Sequence, residues 1–412
     1  METIQYMDDI DFKGKTILVR IDLNLPYLRE TDEFGHSKRL VEHAVTIREL
    51  SDKGAKVVVL AHQGRPGKTD FQRLEGHADA LAKYVGKPVR YCDEIISKRV
   101  VRYIEELKES EILLLENIRF LAEESQEGGA EKHAESILVR TLAPLASIFV
   151  NDAYSVAHRP HASIIGFSHI LPTVAGRVME KEIKANTKAI KHADSPRIFV
   201  VGGAKPNDCI KAIQNMLSKG RADRILVGGV IGHLFLAAAG YNVGVKTLLF
   251  IEEEGGSKNF EDVKRIYQEY SDKIELPVDL AFGKGGERVE VDVQDLPADG
   301  IIYDIGEKTA EHYAELIKHA RTINIKGPPG YFEDALFRNG SETVFNAIAD
   351  SDAFSLIGGG HTLSAIQMFG LPEERFGHVT MGGGALLAHL CGEAMPGVEC
   401  LKNPIRATAP PP

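Results

Sequence analysis

The chain has only four cysteines, Cys92, Cys209, Cys391 and Cys400, and no two of them form a Cys-x-x-Cys pair. That scarcity excludes a disulfide scaffold, and no His/Cys set has the spacing of a zinc site, so free thiols in a reducing cytoplasm are expected. No apolar run approaches the roughly 18 residues that a membrane-spanning helix needs. Met1 to Asp11 is polar and acidic, unlike a signal peptide, so a cytoplasmic protein without membrane contact is expected. Positive charge is in deficit as well. The formal net charge is −10, whereas a general nucleic-acid binder would be basic, so no nucleic-acid partner is expected. Two common nucleotide motifs are missing. A Walker A loop reads Gly-x-x-x-x-Gly-Lys-Ser/Thr; Gly67-Lys68-Thr69 supplies the last three residues, but His62 stands where the first glycine belongs. No Gly-x-Gly-x-x-Gly follows the first apolar run, which argues against a two-domain NAD-dependent dehydrogenase.

What is present is a chain of 412 residues, 43% apolar and 26% charged. That is too long for one compact core and suits two domains of ordinary size. Short β-branched runs alternate with amphipathic stretches. Strands are predicted at Thr16 to Asp22, Lys56 to Ala61, Ile112 to Leu115 and Ser147 to Val150, then at Arg197 to Val201, Arg224 to Val227, Ile301 to Asp304, Thr322 to Ile325 and Phe354 to Ile357. Leu74, Ala78, Leu81, Ala82 and Val85 fall on one helix face, and Ile210, Ile213, Met216 and Leu217 mark another helix. The alternation predicts an α/β protein of two doubly wound, parallel-sheet, Rossmann-like domains joined by a hinge helix. The boundary is expected between Pro172 and Ile190, where Ala175 to Glu182 opens a helix-like stretch. The tail from Asn403 to Pro412, rich in Pro and Ala, reads as a disordered end or a strap returning to the first domain.

In open parallel sheets ligands bind beyond the carboxyl ends of the strands. In the first half those ends carry Asp22 and Asn24, then His62, Gly64 and Arg65, then Glu116, Asn117 and Arg119, then Asn151, Asp152 and His158-Arg159-Pro160-His161. Arginine presents a planar fork of donors that matches phosphate or carboxylate in two-point contact. Each of these residues taken singly is more often a surface charge or a structural histidine. Four successive strand ends with the same chemistry point to a phosphorylated small anion, with Asp22 and Asn24 suited to a hydroxyl. In the second half the ends carry Gly202-Gly203-Ala204-Lys205, Gly327-Pro328-Pro329-Gly330, Gly358-Gly359-Gly360-His361-Thr362 and Gly382-Gly383-Gly384. Glycine lets the backbone approach a phosphate, and helix N-termini present free N–H groups to it. Lys205 reaches toward such a phosphate, and Glu333 suits ribose hydroxyls. The plainer reading is that these glycines are spacers.

Taken in order, these blocks resemble phosphoglycerate kinase along nearly the whole chain: Val19 to Pro26, Ala61 to Pro66, Leu115 to Phe120, Asn151 to Tyr154, His158 to Ser163, Gly176 to Glu182, Gly202 to Lys205, Gly327 to Gly330 with Glu333, the Gly358 turn, His378 to Ala385 and Met395 to Val398. The resemblance implies reversible transfer of a phosphoryl group from 1,3-bisphosphoglycerate to ADP, giving 3-phosphoglycerate and ATP, with magnesium carried by the nucleotide and no protein-held metal. It implies that Asp22, Leu23, Asn24, Arg39, His62, Gln63, Gly64, Arg65, Arg119 and Arg159 hold the glycerate. Lys205, Glu333, Gly358, Gly359, Gly360, His361 and Thr362 then serve the nucleotide, while Arg39, Lys205, Gly359, Gly382 and Gly383 stabilise the transferring group. The first domain, 1–175 with the tail 395–412, would bind 3-phosphoglycerate, and 176–394 the nucleotide. Sites on separate domains imply a hinge closure. A monomer is expected, with a homodimer as the alternative.

Several positions depart from the pattern. Leu25 stands where a smaller residue is usual, Cys209 where many members carry a second lysine on the nucleotide phosphate, Lys326 where Asn is common, His361 at an often acidic position and Met381 at a usual threonine. They have an archaeal rather than a bacterial look, and Cys209 and Met381 favour the rival reading of a regulator that has lost catalysis. Retention of Arg39, Lys205 and the whole arginine rim speaks against that rival.

Overall fold

The computed structural model describes residues 4–28, 33–35, 37–203 and 205–402. Ala204 and the tail Asn403 to Pro412 lie outside the described residues. The chain divides into two compact units, one running to Ile183 and resuming at Ala394, the other spanning Lys184–Glu393. The helix Arg177–Asn186 carries the chain from the first to the second. Among the described residues no helix is long and apolar enough to cross a membrane.

In the first unit the strands are β1 (Thr16–Arg20), β2 (Tyr27–Leu28), β3 (Glu33–Phe34), β4 (Lys56–Leu60), β5 (Val89–Cys92), β6 (Ile112–Leu115), β7 (Ile148–Asn151) and β8 (Thr173–Ala175). β2 and β3 form a small antiparallel ribbon. The other six make one sheet in the order β5-β6-β4-β1-β7-β8, parallel throughout. The runs Ile17-Leu18-Val19 and Val57-Val58-Val59-Leu60 are buried on both faces of that sheet, as expected for parallel strands covered by helices on each side. Burying one such side chain contributes roughly 1.5–3 kcal/mol, so these short runs fix the sheet centre. Residues 394–402 complete this unit: the Gly397 N–H donates to the Ala157 carbonyl at 2.8 Å.

The second unit contains β9 (Arg197–Val201), β10 (Arg224–Val227), β11 (Ile274–Glu275), β12 (Asp279–Lys284), β13 (Glu287–Asp292), β14 (Ile302–Ile305), β15 (Thr322–Lys326), β16 (Phe354–Gly358) and β17 (His378–Val379). Six of them form a second all-parallel sheet, β11-β10-β9-β15-β16-β17. The α/β fold class with two doubly wound parallel sheets is therefore as expected. One strand is not. The run Ile301 to Asp304, expected in the parallel sheet, lies instead in a three-stranded antiparallel sheet β13-β12-β14. β12 and β13 are joined at Gly285-Gly286, both with positive φ, the backbone that a tight hairpin demands. The hairpin takes β14 as its third strand.

In each sheet the first strand of the unit, β1 or β9, has neighbours on both sides and chain continuing to either hand. That is the topological switch point where doubly wound sheets bind ligands.

Candidate active site

Beyond β1 the backbone leaves the sheet and Asp22 is buried, at 2% exposure. Arg39, in the first turn of the helix Lys38–Asp52 behind a Ser37 cap, forms an ion pair with Asp22 and donates to the Asn24 carbonyl. Ser155 also donates to Asp22, and the Asn24 N–H does so at 2.9 Å. Burial alone would raise the Asp22 carboxyl; Arg39, Ser155 and the Asn24 N–H outweigh it and hold the group below the usual carboxylate range. Asp22 is an acceptor at any physiological pH.

His62, beyond β4, takes a hydrogen bond at Nδ1 from the fully buried Arg20, 2.9 Å away. Arginine only donates, so Nδ1 accepts and the ring proton sits on Nε2. Burial and the charge of Arg20 push the His62 imidazole well below its ordinary value, leaving a neutral N–H donor at pH 7. Arg20 in turn donates from Nε to Ser163 Oγ at 2.9 Å, and Ser163 donates to the buried Glu124 at 2.7 Å. Asn24 Oδ1 accepts the Gly64 N–H at 2.7 Å, and the Gly64 carbonyl accepts from Arg119. Gly64 has φ +66, and a Cβ there would run into the backbone at Asp70 and Phe71, so only glycine fits this tight loop.

Arg65, Arg119 and Arg159 form no ion pair with a carboxylate among the described residues. Arg119 is buried, and burial together with Arg20 and Arg159 lowers its guanidinium to about 10. Burial and then Arg65 lower Arg159. Burial and the neighbouring arginines lower His158, and His161 to about 3. Cations that repel one another at one rim, with none of these three arginines in an ion pair among the described residues, make a site with a standing preference for an anion. The structure thus brings Asp22, Asn24, Arg39, His62, Gly64, Arg65, Arg119 and Arg159 into one neighbourhood. Leu23 and Gln63 differ from these. The Leu23 side chain is part of the core. Gln63 is fully buried; its amide accepts from the Leu25 N–H at 2.8 Å and donates to the Leu25 and Asp70 carbonyls, so its side chain joins two loops.

The second unit gathers its glycines in the same way. A Cβ on Gly202 would strike Pro328, and one on Gly228 would come within 2.8 Å of Pro329 Cβ, Cα and O alike. The Gly229 N–H donates to the Pro329 carbonyl at 2.6 Å and the Gly327 N–H to Thr362 Oγ1 at 3.0 Å. A Cβ on Gly383 would lie 3.2 Å from Gly359 Cα. Three helix starts therefore converge, at Pro206–Ser218, Gly360–Met368 and Gly383–Leu390, and their unbonded N–H groups favour a polyphosphate. Lys205 occupies the cap position of the first and is exposed. His361 Nδ1 lies 3.4 Å from Glu333 Oε1, but both are exposed and the pair adds little. Among the described residues no cluster of three or more His, Cys, Asp or Glu comes together as a metal cage.

Sequence reasoning did not single out Arg20, His43, Glu124 or Ser155 as supports. Arg20 left a signal, a charge closing the apolar run of β1; the other three gave none, because their roles come from packing between distant segments.

A sequence profile of the family described as phosphoglycerate kinase matches residues 7–393. The phosphoglycerate kinase of Methanothermobacter thermautotrophicus is 42% identical over 397 residues, covering 96% of each chain. The crystal structure of phosphoglycerate kinase from Pyrococcus horikoshii OT3 superposes with a TM-score of 0.86 at 38% identity, over 97% of this chain and 98% of that one. That of Coxiella burnetii does so with 0.83 at 28% identity, over 97% and 99%. These matches define a phosphotransferase that uses a carboxyl group as acceptor. The chain belongs to the phosphoglycerate kinase family, glycolytic enzymes that move a phosphoryl group between 1,3-bisphosphoglycerate and ADP. The archaeal look of its departures agrees with archaeal relatives at about 42% identity.

Proposed function

We propose that the first unit binds the glycerate substrate and the second the nucleotide, with the residues in the following roles. Arg65, Arg119 and Arg159 hold the phosphate that stays on the glycerate, and neutral His62 donates to the same ligand. Asp22 and Asn24 hold its hydroxyl. The observation that carries this reading is the set of three mutually repelling arginines that form no ion pair with a carboxylate among the described residues. In the second unit Lys205 and the turns at Gly358 to Thr362 and Gly382-Gly383 receive the phosphates, and Glu333 the ribose. Magnesium comes with the nucleotide as part of the substrate.

A carboxylate is ionised at pH 7, so the attacking group needs no general base. In the direction of ATP use, a carboxylate oxygen bonds to the γ-phosphorus. The bond from that phosphorus to its bridging oxygen breaks, and the electron pair leaves on ADP. Catalysis is then alignment plus stabilisation of charge on the transferring group, which we assign to Arg39, Lys205, Gly359 and the start of the helix at Gly383. Both ligands must be held at once, and an approach of the two units on binding the pair belongs to the same proposal. We read the working form as a cytoplasmic monomer.

The test is a coupled assay with 3-phosphoglycerate and magnesium–ATP on Arg119→Lys, which keeps the charge and loses the fork. KM for 3-phosphoglycerate should rise on the order of tenfold, about 1.4 kcal/mol, while KM for ATP stays put. Unchanged KM for both would remove Arg119 from the glycerate site.

A further inference from the structure

Lys326 closes β15, at the centre of the converging glycine turns. Its Nζ lies against Gly359: a Cβ built on that glycine would be 2.9 Å from Lys326 Nζ and 3.5 Å from Thr362 Oγ1. Gly359 has φ +108, so the turn presents bare backbone to the ammonium. Lys326 itself is half-buried, and no carboxylate forms an ion pair with it among the described residues. An ammonium with no carboxylate beside it leaves its donors available to an incoming anion. Around it are the starts of the helices Gly360–Met368 and Gly383–Leu390 and, across the turn, of Pro206–Ser218, positive in character, with the exposed Asp208 as the acid in the first turn of the last. On that last helix Cys209 is buried beside them. Burial pushes its thiol up to about 11, against the opposing pull of the Lys326 charge. Cys209 Sγ lies 4.0 Å from the Gly202 carbonyl, so the Pro206–Ser218 helix turns a thiol, and no cation, toward the same glycine turns.

We propose that Lys326 is a catalytic residue of this enzyme, its ammonium contacting the oxygens of the transferring phosphoryl group, and that it supplies from the end of β15 the positive charge that the helix lacks at Cys209. The inference rests on the nucleotide site proposed above. Lys326 transfers no proton to or from the reacting atoms; it remains an ammonium, donates hydrogen bonds to the equatorial oxygens and offsets their negative charge as the bond to ADP breaks. A lysine at 209 would start from beside the Gly202 carbonyl and extend a positive charge toward the same glycine turns, so substitution there tests the replacement.

The experiment compares Lys326→Met, Lys326→Arg, Lys326→Met with Cys209→Lys, and Lys205→Met, by steady-state kinetics with thermal unfolding as a check on folding. Lys326→Met should lower kcat on the order of 10²–10³-fold with KM for ATP changed less than about threefold. Lys326→Arg should keep most of the rate, which maintains the test should the methionine variant not fold. Adding Cys209→Lys to Lys326→Met should recover at least about tenfold. A folded Lys326→Met with kcat within about twofold of the parent overturns the inference, as does a rise in KM with kcat unchanged or a failure of Cys209→Lys to rescue. Should Lys205→Met also leave kcat and KM unchanged, the nucleotide site itself is misplaced; a dead Lys205→Met beside an active Lys326→Met isolates the failure to Lys326.

Discussion

Single side chains here are governed by burial against charge. His233, on the helix Gly229–Ala238, is almost fully buried, and desolvation alone lowers its imidazole to about 4. His77 is lowered to about 4, chiefly by burial. The unfolded chain protonates such a histidine near 6.5 while the folded chain does not, so stability is full above pH 6.5 and is lost as pH falls toward 4. For His233 the shift from 6.5 to about 4 amounts to roughly 3 kcal/mol. His233→Leu should flatten the unfolding free energy between pH 6.5 and 4 by that order; a slope equal to the parent's would show that His233 is already protonated in the fold. At this scale Arg65, Arg119, Arg159 and Asp22 were legible in the sequence, since they cluster at strand ends by residue type, whereas Arg39, on a helix, came only with the family resemblance. Lys326 was visible only as an oddity, because the meaning of a lysine before Gly-Pro depends on Gly359, which is distant in sequence and next to it in space.

Among the elements, the turns carry the strictest demands. Gly228 precedes the helix Gly229–Ala238, and a Cβ there would lie 2.5 Å from Pro329 Cβ and 2.7 Å from its Cα. Proline is stiff, so the loops must separate. Gly228→Ala should cost about 1–3 kcal/mol, the usual toll of overpacking, and should raise KM for ATP more than KM for 3-phosphoglycerate. Equal KM values would show that the Gly228–Pro329 contact does not shape the nucleotide site. Most strands of the parallel sheets could be placed from β-branched runs, β6, β9 and β10 to the residue. β14 was misplaced because a run as short as Ile301 to Asp304 does not encode its partner; the Gly285-Gly286 hairpin decides that. β8, β11 and β17 have three residues or fewer and lack a periodic signal.

On the scale of the molecule, each unit has its own apolar cores, so ligands should stabilise them separately. A ligand at a hundred times its Kd adds about 2.7 kcal/mol to whatever it binds. ADP should slow amide exchange in β9, β15 and β16 and leave β1 and β4 unchanged, and 3-phosphoglycerate should do the reverse; ADP protection in β1 would invert the assignment of roles. The two-unit plan was legible from the repeated alternation of runs. The passage between units falls at Ile183 and Lys184, inside the helix Arg177–Asn186 and not at the 175/176 boundary read from the sequence.

Asp152 Oδ1 accepts the N–H groups of Val178 and Met179, its Oδ2 meets His43 Nδ1 at 3.0 Å, and His43 Nε2 accepts the Asp22 N–H at 3.2 Å. The first turn of the connecting helix is thus tethered, through two buried side chains, to the peptide unit that leads into the loop proposed to bind glycerate. A shift of that loop has nowhere to dissipate in a close-packed interior, so filling the pocket and firming the tether are one event seen from two ends, and by reciprocity each must favour the other. Glycerate binding should quieten amide exchange at Val178 and Met179, and His43→Leu should sever that response while leaving the arginines in place.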